Sequence, residues 1–283
     1  MSEALKKYAR QPKIYLALPS GGKFYLDDPT QKAGTGELPV MSMTARDELL
    51  LRTPDALMNG ESVASVIRNC VPMISDPWDI PITDIDAILI AIRIATYGEK
   101  MEMEIDVPGL KEPEQVKTEI NLPVLLDGLK AKTWNEVLTF NGLKLFTRPL
   151  KFKDQNTYEQ KNFETQRFIA ELRKNADNLD ERRTQMADMF NNISNINIDL
   201  VSKQIAKIET PEGELITDQL EIGRWLNDLE AKEFEVIRKH LEDAKANFDL
   251  PVQKIQTPTA LVEQGAPEII EYPLIFSNTS FFA

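Results

Sequence analysis

The chain has 283 residues, of which 33 are Lys or Arg and 45 are Asp or Glu, and its net charge is −12. This length suits about two domains and a core that needs no disulfide or metal. The acidic balance argues against general nucleic-acid binding, and the single cysteine excludes an internal disulfide. Residues 1–20 contain no apolar run long enough for a signal peptide. We therefore expect a cytoplasmic protein with no nucleic-acid or membrane partner.

The first part of the chain alternates between short strand-like runs and helix signals. Residues 1–13 are polar and basic, which predicts a flexible arm. Thr44, with Asp47 three residues later, predicts the start of a helix that runs through Leu51. These signals continue to about residue 152, and we interpret residues 14–152 as one mixed α/β domain.

The most apolar stretch, residues 85–95, contains only Asp86 and Arg93 as polar residues. A helix that is apolar on nearly all faces has to be buried, and about a dozen residues is too short to span a bilayer. Thr83 followed by Asp86 predicts a capping box, and Gly98 predicts the end of the helix. We expect this helix to be the centre of the N-terminal domain.

Three side chains near this helix are predicted to have structural roles: Asp86, Arg93 and Trp78. Arg93 lies two helical turns after Asp86, on the same face. Either it belongs to a polar stripe that reaches the surface, or it is a partly buried guanidinium that pairs with a carboxylate and fixes helix docking. Trp78 lies in the Pro-rich passage before the helix.

The period of the sequence changes after the central helix. Polar and apolar residues alternate on both sides of a Pro-Gly turn, which predicts a β-hairpin arm over residues 101–122. Charged helical segments follow and predict a helical domain over residues 153–250, with a hairpin at 205–216. Residues 251–283 are Pro-rich and predict an extended tail or a ribbon-like element. The predicted fold class is α+β, with a small C-terminal β element.

One helix of the second domain has a narrow apolar face with coiled-coil-like spacing. This face and a methionine-rich face over residues 186–201 either close a bundle within the chain or offer a surface to a partner. The same helix is a candidate for self-association through residues 234–248. Its candidate partner-binding residues are Phe234, Ile237, Leu241 and Phe248.

The end of the sequence, FSNTSFFA, adds three candidate partner-binding residues: Phe276, Phe281 and Phe282. So many aromatic side chains in a short segment have either to fold back onto the protein or to bind elsewhere.

Residues suited to catalysis are sparse. His240 is the only histidine and lies among charged residues, which is typical of a solvated surface position. Cys70 lies on an apolar helical stripe, as expected of a core thiol. A hydrolase that uses Cys70 and His240 is the remaining enzymatic alternative. We predict no catalytic, cofactor-binding or metal-binding residue and no cofactor.

Several segments together resemble the T4-like bacteriophage baseplate proteins, a family that includes the hub assembly chaperones of contractile-tailed phages. The resemblance covers most of residues 14–150 and continues more loosely to the terminal Ser-Phe-Phe. It rests on the segments LPSGGKFY (18–25), ELPVMSMTARDELLLRTPDALMNG (37–60), DPWDIP (76–81), DAILIAIRIATYGEKMEMEI (86–105) and GLKLFTRPLKFKDQ (142–155).

This resemblance implies a viral protein that acts in the host cytoplasm during tail construction. It implies a chaperone that binds hub or tape-measure proteins and then leaves, or alternatively a structural subunit that is retained in the baseplate of the virion. Neither role requires an enzymatic reaction.

The chain departs from longer members of the family, which are expected to carry cysteine pairs in two small ribbons. Residues 107–110 read Val-Pro-Gly-Leu where a Cys-Pro-x-Cys knuckle is expected, and residues 255–276 contain no cysteine. We therefore predict ribbons that bind no metal and are held together by apolar packing in place of zinc.

Overall fold

The computed structural model of the chain describes residues 9–51, 60–110, 113–130, 132–174 and 193–274. The fold is α+β, as predicted, with helices and small antiparallel sheets. The helices are α1 (Pro29–Ala33), α2 (Ala45–Leu51), α3 (Glu61–Cys70), α4 (Ile82–Tyr97), α5 (Leu122–Leu129), α6 (Phe152–Lys174), α7 (193–204), α8 (Gln219–Asn227), α9 (Ala231–Ala246) and α10 (Thr259–Val262). The strands are β1 (Ile14–Leu16), β2 (Leu38–Val40), β3 (Lys100–Asp106), β4 (Gln115–Asn121), β5 (Val137–Phe140), β6 (Leu143–Thr147), β7 (Ile205–Glu209), β8 (Leu215–Ile216), β9 (Gln253–Gln256) and β10 (Ile269–Tyr272).

The central helix α4 is buried along most of its length, as predicted, and residues 87–95 are buried without interruption. The predicted capping box is wrong. The helix begins at Ile82 after Pro81, whose fixed φ suits a helix start, so Thr83 and Asp86 lie inside the helix. Gly98 ends the helix as predicted, at φ +98°, and its N–H donates to the carbonyl of Ile94.

The first hydrophobic cluster surrounds α4 and draws on β1, β2, α2, α3 and α5. The two strands pair in antiparallel register from Ile14 opposite Val40 to Leu16 opposite Leu38. The predicted start of α2 is confirmed, because the carboxylate of Asp47 accepts hydrogen bonds from the backbone and hydroxyl of Thr44 at 2.8 and 2.7 Å. These two bonds close the first turn of α2.

The described part of the predicted arm contacts this cluster region. Arg10 donates to the carbonyl oxygens of Ser42 at 2.7 Å and Asn69 at 3.2 Å. The backbone N–H of Lys13 donates to the carbonyl of Val40 at 2.9 Å. Residues 1–8 of the predicted arm lie outside the described residues.

The predicted hairpin arm is confirmed as β3 and β4, which pair from Lys100 opposite Asn121 to Asp106 opposite Gln115. Buried and exposed residues alternate along both strands. The exposed face carries cross-strand ion pairs, Lys100–Glu119 at 2.7 Å among them. The hairpin therefore packs one face inward and keeps a charged face outward.

A four-stranded antiparallel sheet has the order β5-β6-β7-β8 and includes the predicted hairpin at 205–216. Its strands pack against α7, α8 and α9 in a second hydrophobic cluster that also contains Trp134. Strand β6 precedes residue 152 and pairs with β7, which follows it. The sheet thus crosses the predicted domain division at residue 152, and that division stays a prediction.

The C-terminal β element consists of β9 and β10, which pair antiparallel. It shares a third hydrophobic cluster with the far end of the β3–β4 hairpin. The backbones approach closely here: a Cβ on Gly109 would lie 3.2 Å from the carbonyl oxygen of Gly265. Apolar packing between the two ribbon segments is therefore confirmed, and the cluster comprises Ile105, Val107, Val116, Ile255, Leu261, Ala266 and Ile270.

Helix α6 is the longest described element, with 23 residues and a length of about 35 Å. Its first turn is attached to α7, because Asp154 forms an ion pair of 2.9 Å with Lys203. Within the described residues, no helix combines the length and apolar character needed to cross a membrane.

Candidate partner-binding surfaces

The narrow apolar face of α9 lies in the core of the second cluster. Ile237, Leu241 and Phe248 are buried and Phe234 is partly buried, in contact with residues of α7 and α8. The sequence left open whether this face packs within the chain or binds a partner, and in the structure it packs within the chain. A role of these residues in partner binding or self-association stays a prediction.

Helix α6 has a different environment, because its outer part is exposed to solvent. Residues 161–168 are exposed apart from Thr165, which is partly buried. Phe163 is 52% exposed and Phe168 is 40% exposed. Phe163 and Phe168 are five positions apart and therefore point to different sides of the helix, about 140° apart, so α6 presents two separate exposed aromatic side chains. Neither residue is among the partner-binding candidates predicted from the sequence.

The three terminal candidates, Phe276, Phe281 and Phe282, lie outside the described residues. The last described residue, Leu274, packs against the first hydrophobic cluster. The methionine-rich face falls partly outside as well, since residues 175–192 are not described.

The predicted structural residues occupy three different environments. Trp78 stacks on Phe152, with ring centroids 5.1 Å apart and planes inclined by 14°. Arg93 is buried, and its guanidinium lies 5.1 Å from the centroid of the Tyr97 ring. Burial lowers the pKa of Arg93. The alternative of a polar stripe that reaches the surface is therefore wrong for Arg93.

Asp86 faces a groove between α4, the start of α6 and the end of α9. Burial, together with the neighbouring carboxylate of Asp249, raises the pKa of Asp86 to about 6, while Lys245 opposes this shift. The structural role predicted for Asp86 stays a prediction.

The sequence did not indicate a role for Asp84, a buried carboxylate that accepts three hydrogen bonds. It is fully buried and accepts hydrogen bonds from the backbone N–H of Ser20 at 2.8 Å and the Ser20 hydroxyl at 2.6 Å. The hydroxyl of Tyr25 donates a third bond at 3.0 Å. Burial outweighs these bonds and raises the pKa of Asp84 to about 6. An acidic residue in a first helical turn is common, so the sequence carried no specific signal for this role.

A second carboxylate, that of Asp79, contacts the C-terminal end of the same loop. Asp79 accepts a hydrogen bond from the backbone N–H of Leu26 at 2.9 Å and forms an ion pair with Lys151 at 3.1 Å. Lys151 also donates to the carbonyl of Phe24, which has a left-handed φ of +70°. The loop 18–26 is thus attached to the core by hydrogen bonds at both ends, to Asp84 near Ser20 and to Asp79 at Leu26.

The residues considered for catalysis do not form a reactive pair. Cys70 is fully buried, and burial raises the pKa of its thiol to about 12, so the reactive thiolate is disfavoured. His240 lies on α9 with its Nε2 3.1 Å from the carbonyl oxygen of Asn135. Among the described residues, no group of three or more His, Cys, Asp or Glu could hold a metal ion.

Comparison with known proteins gives one match. The sequence profile of a family described as T4 bacteriophage base plate protein matches residues 11–259, which is most of the chain. No curated protein and no solved structure matches at a significant level.

Proposed function

The chain belongs to the T4 bacteriophage base plate protein family, and from that premise we propose that it is a non-enzymatic chaperone of baseplate hub assembly. In this role it binds hub or tape-measure proteins of the same phage and prevents their premature association. Binding takes place in the host cytoplasm during infection, before the tail is complete.

The observation that carries this proposal is the exposed outer part of α6 with Phe163 and Phe168. Exposed aromatic side chains of this kind are frequent anchors in protein–protein contacts. This exposed part, residues 161–168, lies within the region 157–248, from which we expect partner contact. The net charge of −12 disfavours nucleic acid as the partner and keeps the free protein soluble.

A second contact is expected from Phe281 and Phe282. These residues provide two rigid aromatic side chains, which are frequent anchors in interfaces. Together with α6 they would give two separate contact points, and this raises the overall affinity when a single partner spans both.

A binding experiment with purified hub and tape-measure proteins tests the proposal. We expect the variant Phe163→Ala/Phe168→Ala to bind at least tenfold more weakly, and deletion of Phe281 and Phe282 to have a similar effect. Val124→Ala, at a 64% exposed apolar residue far along the chain from α6, is the matched control. Wild-type affinity in both altered proteins would exclude these surfaces.

The alternative function is a structural subunit that is retained in the virion baseplate. Quantitative mass spectrometry of purified particles separates the two functions. Absence from particles supports the chaperone, whereas a fixed number of copies in every particle supports the structural subunit.

A further inference from the structure

A groove of about 470 Å³ opens between α4, the first turns of α6 and the end of α9. Its apolar wall is formed by Val63, Ile85, Leu89, Phe152 and Phe248. This volume is in the usual range of sites that enclose a ligand, and an apolar wall favours an apolar group.

One polar atom in the groove lacks a partner. Thr83 lines the groove and is 4% exposed, and its Oγ1 has no hydrogen-bond partner among the described residues. A buried hydroxyl without a partner is costly, so a group in the groove that can bond to this hydroxyl would be favoured.

Leu274 also lines the groove and packs against the first hydrophobic cluster. The chain therefore reaches the groove at the end of its described part. One residue spans at most about 3.6 Å, so the next aromatic residue, Phe276, has to lie within about 7 Å of Leu274.

The charge of the groove agrees with an occupant from this segment. The carboxylates of Asp86, Glu159 and Asp249 line the groove, and Lys245 is the one basic residue among the described residues of its lining. An anionic occupant would be repelled, whereas residues 275–280, IFSNTS, carry no charged side chain.

We propose that the groove binds the chain's own residues 275–278, with Phe276 against the apolar wall and a polar group of Ser277 or Asn278 bonded to the hydroxyl of Thr83. This binding leaves Phe281 and Phe282 outside the groove. It does not depend on the chaperone function, and its test requires no other phage protein.

Photo-crosslinking in the full chain tests this assignment. Phe276 is replaced by benzoylphenylalanine, which keeps the aromatic ring, and crosslinked peptides are mapped by mass spectrometry. We expect crosslinks within one chain to residues 83–89, 152–156 and 245–249. The same replacement at Phe282 is the control and should not give this set. Crosslinks from position 276 to other elements, or between isotopically light and heavy chains, would overturn the proposal.

A stability measurement provides an independent test. Phe276→Ala should lower the urea midpoint of unfolding, whereas Phe282→Ala should leave it unchanged. The loss should be smaller in a Val63→Ala background, because the wall that contacts Phe276 is already altered. Equal effects of the two Phe variants, or full additivity with Val63→Ala, would contradict binding in the groove.

Discussion

The hydroxyl of Ser20 donates a 2.6 Å hydrogen bond to Asp84, a carboxylate with no exposed surface. The two residues belong to elements separated by 64 positions in the chain. This bond attaches the loop 18–26 to the first turn of the central helix. The loop conformation and the stability of the core are therefore coupled.

Ser20→Ala should lower the free energy of unfolding by about 1–3 kcal/mol, because it removes a hydrogen bond to a buried carboxyl group. Urea denaturation followed by circular dichroism measures this loss. Ser75→Ala, which alters an exposed serine near the same loop, should change the value by less than about 0.5 kcal/mol. Equal effects of the two variants would contradict the role assigned to Ser20.

Stability should decrease as the pH rises from about 4 to about 7. The pKa of Asp86 is raised from 3.8 to about 6, so the folded chain binds more protons than the unfolded chain in this window. The pKa of Asp84 is also raised to about 6, so this group likewise lowers the stability as the pH rises. Each group contributes at most about 3 kcal/mol, from 1.36 kcal/mol per pKa unit.

Asp86→Asn removes one of these contributions, and the variant should be more stable than the wild type above pH 7 and nearly equal to it at pH 4. Unfolding midpoints measured from pH 4 to pH 8 test this. Asp243→Asn, at an exposed position of α9, should keep the wild-type pH dependence. A pH profile for Asp86→Asn that is parallel to the wild type would refute the assignment.

Ile237→Ala should lower the free energy of unfolding by about 2–5 kcal/mol, since it creates a cavity in the second hydrophobic cluster. The neighbouring Val236 is 49% exposed, and Val236→Ala should have little effect. Denaturation of the two variants compares the inner and outer faces of α9. Similar small losses in both would show that this face is not a core face in solution.

The contact between the two ribbons predicts a local effect. Ile270→Ala in the third hydrophobic cluster should decrease hydrogen-exchange protection in β9 and β10 by at least tenfold, while α4 keeps its protection. Ile269→Ala, at an exposed position of the same strand, serves as the control. Loss of protection across the whole chain would instead indicate that the ribbons and the first cluster unfold together.

The sequence predicted the elements whose patterns are local. The apolar run 85–95 identified the buried central helix, and strict alternation identified the β3–β4 hairpin. The capping box failed because Thr83 and Asp86 have the right spacing but Pro81 places the helix start earlier. Local spacing describes a possible cap and does not decide between two competing starts.

The contacts between distant residues were not predictable in the same way. Asp84 resembles any acidic residue in a first helical turn, and its donors Ser20 and Tyr25 come from a loop far away in sequence. Phe163 is exposed because no other described element packs against that part of α6, and such packing is decided by the tertiary structure. Such relationships arise only when the tertiary structure brings the elements together.

The two ends of the region that contains α6 and α7 meet at one point. The backbone N–H of Arg148 donates to the carbonyl of Gln204 at 2.8 Å, and Asp154 pairs with Lys203 close by. A segment whose ends are neighbours behaves as an insertion: it can lengthen, shorten or be exchanged without altering the register of the sheet beside it. A change of length between these two points should therefore leave the pairing of β6 with β7 intact.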